Sequence, residues 1–254
     1  MRAFAAFFRK EISESARTYK GFIMLGVFFI IGAMSPLTAK LLPDIFNGTE
    51  ISGILFNMPE PTAFDSWTQF FSNVSQIGVL TYVIVFCGIT ANELGKGTLV
   101  NILSKGMRRS VVIAAKFSAA ACVFTVCYWL SFLTSYLYTA YFFGTSGLNG
   151  AFLAFAGPWA YGGMLISLMI LGGVLTKNFY GSLFTVGGSV IVMSLLNIAP
   201  AINKFNPISL SGGTLAILNG SAQNSDFIPA VFICISATAA LLAASVIAFN
   251  RKQL

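Results

Sequence analysis

The segment of this chain that most resembles a chemical motif is Gly95-Lys96-Gly97-Thr98, whose composition is similar to that of a phosphate-binding loop. Such a loop requires a glycine five residues before its Gly-Lys pair and a serine or threonine directly after it, because these positions place backbone amides and a hydroxyl around phosphate and magnesium. Thr90 and Gly97 occupy the two required positions. The segment therefore does not predict nucleotide binding.

The remaining reactive residue types do not predict a catalytic or metal site. The chain has no histidine, which excludes histidine-assisted serine chemistry and the usual zinc motifs. All eight carboxylates fall in predicted loops or at the ends of apolar stretches, which leaves no buried acid for proton coupling. The four cysteines lack metal-ligand spacing and are predicted to be buried packing residues. We expect no catalytic residue, no metal and no cofactor in this chain.

The elements that position these residues are apolar helices. Between Lys116 and Lys177 sixty consecutive residues carry no charge, and 56% of the chain is hydrophobic while 9% is charged. A helix needs roughly 20 apolar residues to cross a bilayer. Divided at the glycine-rich segment 144–150, the charge-free runs predict six spans at about 21–41, 70–92, 111–143, 151–176, 179–199 and 227–249. The polar segment 205–225 is predicted to be an ordered loop, and a loop that dips back toward the bilayer is the alternative.

The distribution of charge predicts the orientation of these spans. Thirteen of the fifteen lysines and arginines fall on one side, and only Lys40 and Lys204 fall on the other. Because cytoplasmic loops accumulate positive charge, both termini are expected in the cytoplasm. The net charge of +7 is thus a signal of membrane topology, and no nucleic-acid partner is predicted.

Residues 1–20 have the pattern of an amphipathic helix lying in the membrane interface. At 100° per residue, Phe4, Phe7, Phe8 and Ile12 gather on one arc, and most basic side chains occupy the other. Glu11 falls on the apolar arc and interrupts the pattern. A basic tail that only follows the topology rules is the alternative interpretation.

The loop 93–116 between predicted spans two and three contains a short helix. Thr98 is a candidate cap, and Leu99, Ile102 and Leu103 form an apolar stripe at i, i+3 and i+4. Gly106 is a candidate end of the helix. Such a stripe suits either a partner protein or the chain's own helices.

This loop resembles the signature of ABC-2 type transporter permeases. The residues that carry the resemblance are Glu93 at the end of span two, Gly97-Thr98, the stretch from Leu99 to Leu103, the basic residues Arg108 and Arg109, and Lys116 near the start of span three. Family members often have proline where Gly106-Met107 stands. The N-terminal helix and the six spans extend the resemblance over nearly the whole chain. It implies an all-α integral membrane protein with an interfacial helix (1–20) and a six-span domain (21–254), whose 93–116 loop carries a cytoplasmic coupling helix.

The resemblance also implies partners. A separate ATPase subunit, in two copies, would bind ATP and Mg and would contact Glu93, Thr98, Leu99, Ile102, Leu103, Arg108, Arg109 and, on the turn between spans four and five, Lys177. A second permease copy, or a paralogous permease, would complete the transporter in the plasma membrane.

The cargo path is expected along spans one, two and five, which line the dimer interface in relatives. Its candidate residues are Met24, Phe28, Gln76, Tyr82, Phe86, Thr185 and Asn197, and core packing is the alternative for each. An uncharged aromatic wall suits a hydrophobic or amphipathic cargo, such as the peptides or toxins moved by the phenol-soluble modulin exporters. An autonomous channel or carrier and a membrane assembly scaffold are the competing functions.

Overall fold

The structure, a computed structural model, describes residues 2–46, 50–51, 54–55, 59–104, 106–144 and 151–252 of the chain. Within these residues the chain is helical apart from turns and two short strands, Glu50–Ile51 (β1) and Ile54–Leu55 (β2), which pair antiparallel. The helices are α1 (Arg2–Arg17), α2 (Lys20–Phe46), α3 (Ala63–Asn73), α4 (Val79–Phe86), α5 (Gly88–Gly95), α6 (Thr98–Leu103), α7 (Arg109–Phe143), α8 (Ala151–Thr176), α9 (Phe179–Leu196), α10 (Pro200–Asn203), α11 (Ser209–Gly212), α12 (Thr214–Leu218) and α13 (Asn224–Arg251). The predicted all-α fold is confirmed.

In the described part of the chain, six helical segments are long and apolar enough to cross a membrane. They are span 1 (Lys20–Pro43), span 2 (Ala63–Gly95), span 3 (Arg109–Phe143), span 4 (Ala154–Thr176), span 5 (Phe179–Leu196) and span 6 (Ser225–Arg251). The chain is therefore a multi-pass helical membrane protein, as its charge-free runs predict. Spans 2 and 4 are the most buried of the six, and spans 5 and 6 are the least buried.

Span 2 begins at Ala63, seven residues before the predicted start near residue 70. The carboxylate of Asp65 accepts hydrogen bonds from the backbone amide of Thr62 (2.8 Å) and from its hydroxyl (2.7 Å), and this reciprocal cap starts the helix. The charge-free run excluded this first turn because it contains Asp65. A π-helical turn, Val74–Gly78, interrupts the span between α3 and α4.

Spans 1 and 3 approach each other closely at Gly32. A Cβ atom added to Gly32 would lie 2.4 Å from the backbone oxygen of Ser131, so only glycine allows the two backbones to come so near. The hydroxyl of Ser35 donates to the carbonyl of Ile31 (2.6 Å) in the same helix. Spans 1 and 3 are therefore in direct backbone contact at Gly32.

The connection between spans 5 and 6 is ordered and partly helical, through α10, α11 and α12. The Asn206 amide donates to the carbonyl of Met193 (2.6 Å), and the hydroxyls of Ser211 and Ser75 hydrogen-bond at 2.9 Å. The prediction of an ordered loop was correct in outline but missed these helical turns, which are only four or five residues long.

One end of the bundle carries most of the positive charge and is called the basic end here. At this end span 1 begins at Lys20, span 2 ends at Gly95, span 3 begins at Arg109, spans 4 and 5 are joined by Lys177-Asn178, and span 6 ends at Arg251. Contacts confirm that these termini lie together: a Cβ atom on Gly95 would lie 2.9 Å from the backbone oxygen of Lys177.

Candidate functional site

The basic end contains a network of ion pairs that joins α1 to spans 2 and 3. Its centre is Lys116, about two turns into span 3. The Lys116 ammonium lies 3.0 Å from Glu11 Oε1 and 2.6 Å from Glu93 Oε2. The same ammonium donates to the carbonyl of Ile89 (2.9 Å) and lies 5.6 Å from the centre of the Phe7 ring. Three segments far apart in sequence thus meet at one charge.

This network is largely withdrawn from solvent. The side chains of Lys116, Glu11 and Glu93 are 1%, 4% and 13% exposed. Burial of a charged group costs several kcal/mol unless an opposite charge and hydrogen bonds accompany it. Lys116 meets this requirement with two carboxylates, one carbonyl and an aromatic face, so the ion pairs fix how α1 sits against spans 2 and 3.

Lys10 closes the network on its solvent side. Its ammonium lies 3.0 Å from Glu11 Oε1 and 2.7 Å from Glu14 Oε2, and it also contacts Glu93 Oε1. Partial burial lowers the pKa of Lys10, but the hydrogen bonds to Glu14 and Glu93 and the charge of Glu11 outweigh it and raise that pKa above its ordinary value. Lys10 is therefore charged throughout the physiological range.

The three carboxylates of this network could in principle bind a cation. Oxygen atoms of Glu11, Glu14 and Glu93 lie within 4.8 Å of one another. The ammonium of Lys10 contacts all three residues and takes the position that a metal ion would need. The cluster is therefore an ion pair network within the chain.

The position of Glu11 accounts for the interruption in the amphipathic pattern of α1. The buried face of the helix is Phe7, Glu11 and Ser15, which are four residues apart and pack toward span 3. The signal for this pairing was present in the sequence as two anomalies, an acid on an apolar arc and Lys116 seven residues inside span 3. Their partnership was not visible because they are 105 residues apart.

A cleft of about 500 Å³ lies beside the network between α1 and the end of span 2. Its walls include Lys10, Glu14, Lys20, Asn92 and Thr98, so charged groups of both signs border it. It opens at the basic end, next to the loop that carries α6. This cleft combines charged groups with space for another molecule or segment.

The short helix α6 forms as predicted. Its apolar stripe was expected to contact a partner, but in the structure part of the stripe packs within the chain. Leu99 is completely buried within the chain, and Leu103 is half-buried against the same core. The side chain of Ile102 lies outside the described residues. Leu99 therefore contacts the protein's own helices, and the alternative interpretation of the stripe is correct for this residue.

The two ends of α6 are set by glycines, and the predicted cap is wrong. Gly97 (φ +70°) and Gly106 (φ +85°) adopt left-handed conformations that favour glycine. Thr98 is the first helical residue, and its exposed hydroxyl donates backward to the carbonyl of Glu93 (3.2 Å) instead of to the amides of α6. Thr98 thus ties α6 to the end of span 2.

The basic residues predicted to contact an ATPase occupy different environments. Arg108 and Lys177 are exposed at the basic end. Arg109 instead holds the end of span 6, because its guanidinium donates to the carbonyls of Phe249 and Lys252 (2.8 Å for Lys252) and lies over the Phe249 ring. Arg109 is therefore a structural clamp on this chain, and a role in docking is not expected of it.

Four of the predicted cargo-path residues belong to the core. Met24, Phe28, Tyr82 and Phe86 are at most 1% exposed, and the rings of Tyr82 and Phe28 pack on Phe124 at 4.4 and 6.0 Å between centres. They line no path in this conformation. Their burial agrees with the core-packing alternative, because aromatic composition alone does not distinguish a lining from a packed interior.

The other three predicted path residues retain polar groups on less buried surfaces. Gln76 is exposed on the π-helical turn of span 2 and donates to Ser72 (3.2 Å). Thr185 is half-buried and donates to the carbonyl of Gly181 (2.8 Å). Asn197 is half-buried, and within the described residues its side-chain oxygen has no hydrogen-bond partner.

Comparison with known proteins did not assign this arrangement to a family. No protein-family model matches the chain, and no curated protein matches its sequence.

Proposed function

We propose that this chain is the membrane subunit of an ATP-driven exporter of the ABC-2 type. The observation that carries the proposal is the link from Glu93 to Lys116 and Lys10. Glu93 stands directly before the loop with α6, and its two partners lie on span 3 and α1. A force applied to this loop is therefore transmitted to an interfacial helix and to a membrane span, which is what a subunit driven by an external ATPase requires.

The ATPase contact is expected on exposed polar groups at the basic end. Thr98, Arg108 and Lys177 are exposed there, whereas Leu99 and Arg109 serve the chain's own packing. Two copies of a cytoplasmic ATPase subunit would bind ATP and Mg, and this chain would supply no catalytic residue. The termini would then lie in the cytoplasm, in agreement with the positive charge of this end.

The cargo is proposed to be hydrophobic or amphipathic, with a peptide or toxin favoured, and to leave the cell across the plasma membrane. A second permease copy, identical or paralogous, would form the other half of the path. The exposure of Gln76 in the middle of span 2 supports contact with such a partner or with a hydrated path, because contact of a side-chain amide with lipid is energetically unfavourable. Span 5 likewise leaves most of its surface free in the single chain.

The proposal is tested by purifying the tagged full-length chain from its source cells in mild detergent. An ATPase with a phosphate loop is expected to copurify in equal stoichiometry. The complex is then reconstituted in vesicles with its ATPase side outward, and uptake of a labelled amphipathic peptide is measured with and without ATP. ATP-dependent uptake supports the proposal. Uptake without ATP by the chain alone would identify a channel or carrier, and absence of both ATPase and uptake would favour a scaffold.

A further inference from the structure

A second feature of α1 is independent of the ion pair network and lies on another face of the helix. An apolar groove of about 260 Å³ runs between α1, span 1 and span 3. It is lined by Ile12 and Ala16 of α1, by Phe22 and Leu25 of span 1, and by Cys122 of span 3, among others. Nearly all of its wall is carbon, so its natural occupant in a membrane is a hydrocarbon chain.

Two arginines of α1 stand beside residues that line this groove: Arg17 directly follows Ala16, and Arg9 lies about one turn before Ile12. Arg9 lies three residues before Ile12 and seven before Ala16, so it occupies a neighbouring position on the same helical face. Arg2 and Arg17 are also exposed, and neither they nor Arg9 makes an ion pair with any residue that the structure describes. The acids of α1, Glu11 and Glu14, are already neutralised by Lys10 and Lys116.

We propose that this groove, with Arg9 and Arg17 at its border, is a binding site for an anionic phospholipid. An acyl chain fills the space between Ile12, Phe22 and Cys122, and the phosphate of the headgroup lies near the two guanidinium groups. Basic residues near a membrane surface attract anionic lipid. A zwitterionic lipid fits the same groove but lacks the net charge that the arginines complement.

The chain contains its own reporter of occupancy. Of its four cysteines, all of which the structure describes, Cys122 alone is exposed, and it lines the groove. Lipid in the groove is therefore expected to slow alkylation of Cys122 by a small apolar maleimide. The protein is delipidated in detergent, phosphatidylglycerol or phosphatidylcholine is added at matched concentration, and the rate of modification is followed by mass spectrometry.

We expect phosphatidylglycerol to slow modification of Cys122 at least fivefold more than phosphatidylcholine. In the double variant Arg9→Gln/Arg17→Gln the two lipids should protect equally. The matched control Lys96→Gln/Arg251→Gln removes the same charge from other exposed positions and should retain the difference. A third variant, Ala16→Phe, fills the groove and should slow modification without any added lipid.

Two results would overturn the proposal. Equal protection by both lipids in the parent would remove the role of headgroup charge, and an undiminished difference in Arg9→Gln/Arg17→Gln would place the headgroup elsewhere. Neither result depends on transport, because the experiment requires only the folded chain. The experiment on the lipid site therefore tests it independently of the proposed exporter function.

Discussion

Replacing Lys116 by methionine tests whether the buried network holds α1 and spans 2 and 3 together. Methionine has similar length and adapts to the same space, so the substitution removes mainly the charge. Glu11 and Glu93, which are 4% and 13% exposed, would then face each other with Lys10 as their only remaining cation among the described residues. Removal of one partner of a buried ion pair costs about 3–5 kcal/mol.

The lower end of that range applies here because Lys10 continues to contact both carboxylates. A loss of about 3 kcal/mol corresponds to a decrease in Tm of about 6–12 °C for a chain of this size, at about 2–4 °C for each kcal/mol. The assay is thermal unfolding of the purified chain in detergent. Lys96→Met, at an exposed position, is the matched control and should change Tm by less than about 2 °C.

A double-mutant cycle separates the ion pair from a general effect of the substitution. In Lys116→Met/Glu11→Gln one of the stranded carboxylates is neutral, so the loss of stability should be smaller than the sum of the single losses by about 1 kcal/mol or more. The reasoning is refuted if the two losses add within error, or if Lys116→Met alone behaves like Lys96→Met.

Three further predictions concern coupling, packing and orientation. Glu93→Gln should lower ATP-dependent transport severalfold at normal expression; unchanged transport would leave Glu93 only the role of anchoring α1. Leu99→Asp should lower Tm by more than about 5 °C, because Leu99 is buried and an unpaired charge there is costly. Lys96→Asp, at an exposed position, should not lower Tm by this amount. Equal Tm values for the two variants would place Leu99 at the surface. In a Cys122→Ser background, Lys96→Cys should react with an impermeant maleimide only from the cytoplasm and Lys204→Cys only from outside, and labelling of both from one side would contradict the six-span topology.

The spans could be predicted from the sequence because the bilayer imposes a length and a composition that few other environments tolerate. The errors arose where local rules compete with that constraint. Asp65 caps span 2 although it carries a charge, so a charge-free window begins too late. The stripe at Leu99 correctly predicted an apolar helix face, but periodicity does not specify what covers a face.

The network could not be predicted because no feature of the sequence pairs its members, although Glu11 interrupts an apolar arc. Lys116 near the start of span 3 satisfies the topology rule without any partner, and Glu93 at the end of span 2 suits a helix terminus. Only the packing of α1 against span 3 brings Glu11 to Lys116. Pairings over such sequence distances follow from the tertiary arrangement and not from helical propensity or hydropathy.

The network is more informative as a mechanical connection than as a source of stability. Apolar residues of similar volume often replace a buried ion pair at no cost, so its energy alone gives little reason for charged residues at these positions. The geometry of the network gives a better reason for these charged residues. A displacement of α1 from span 3 would separate Glu11 from Lys116, and a displacement of span 2 would separate Glu93 from the same ammonium. Either motion would leave a carboxylate without the Lys116 ammonium in a site that is largely withdrawn from solvent. The three segments are therefore expected to move as one body, joined to span 1 through the close contact at Gly32, while the sparsely buried span 5 is the element most free to move against them.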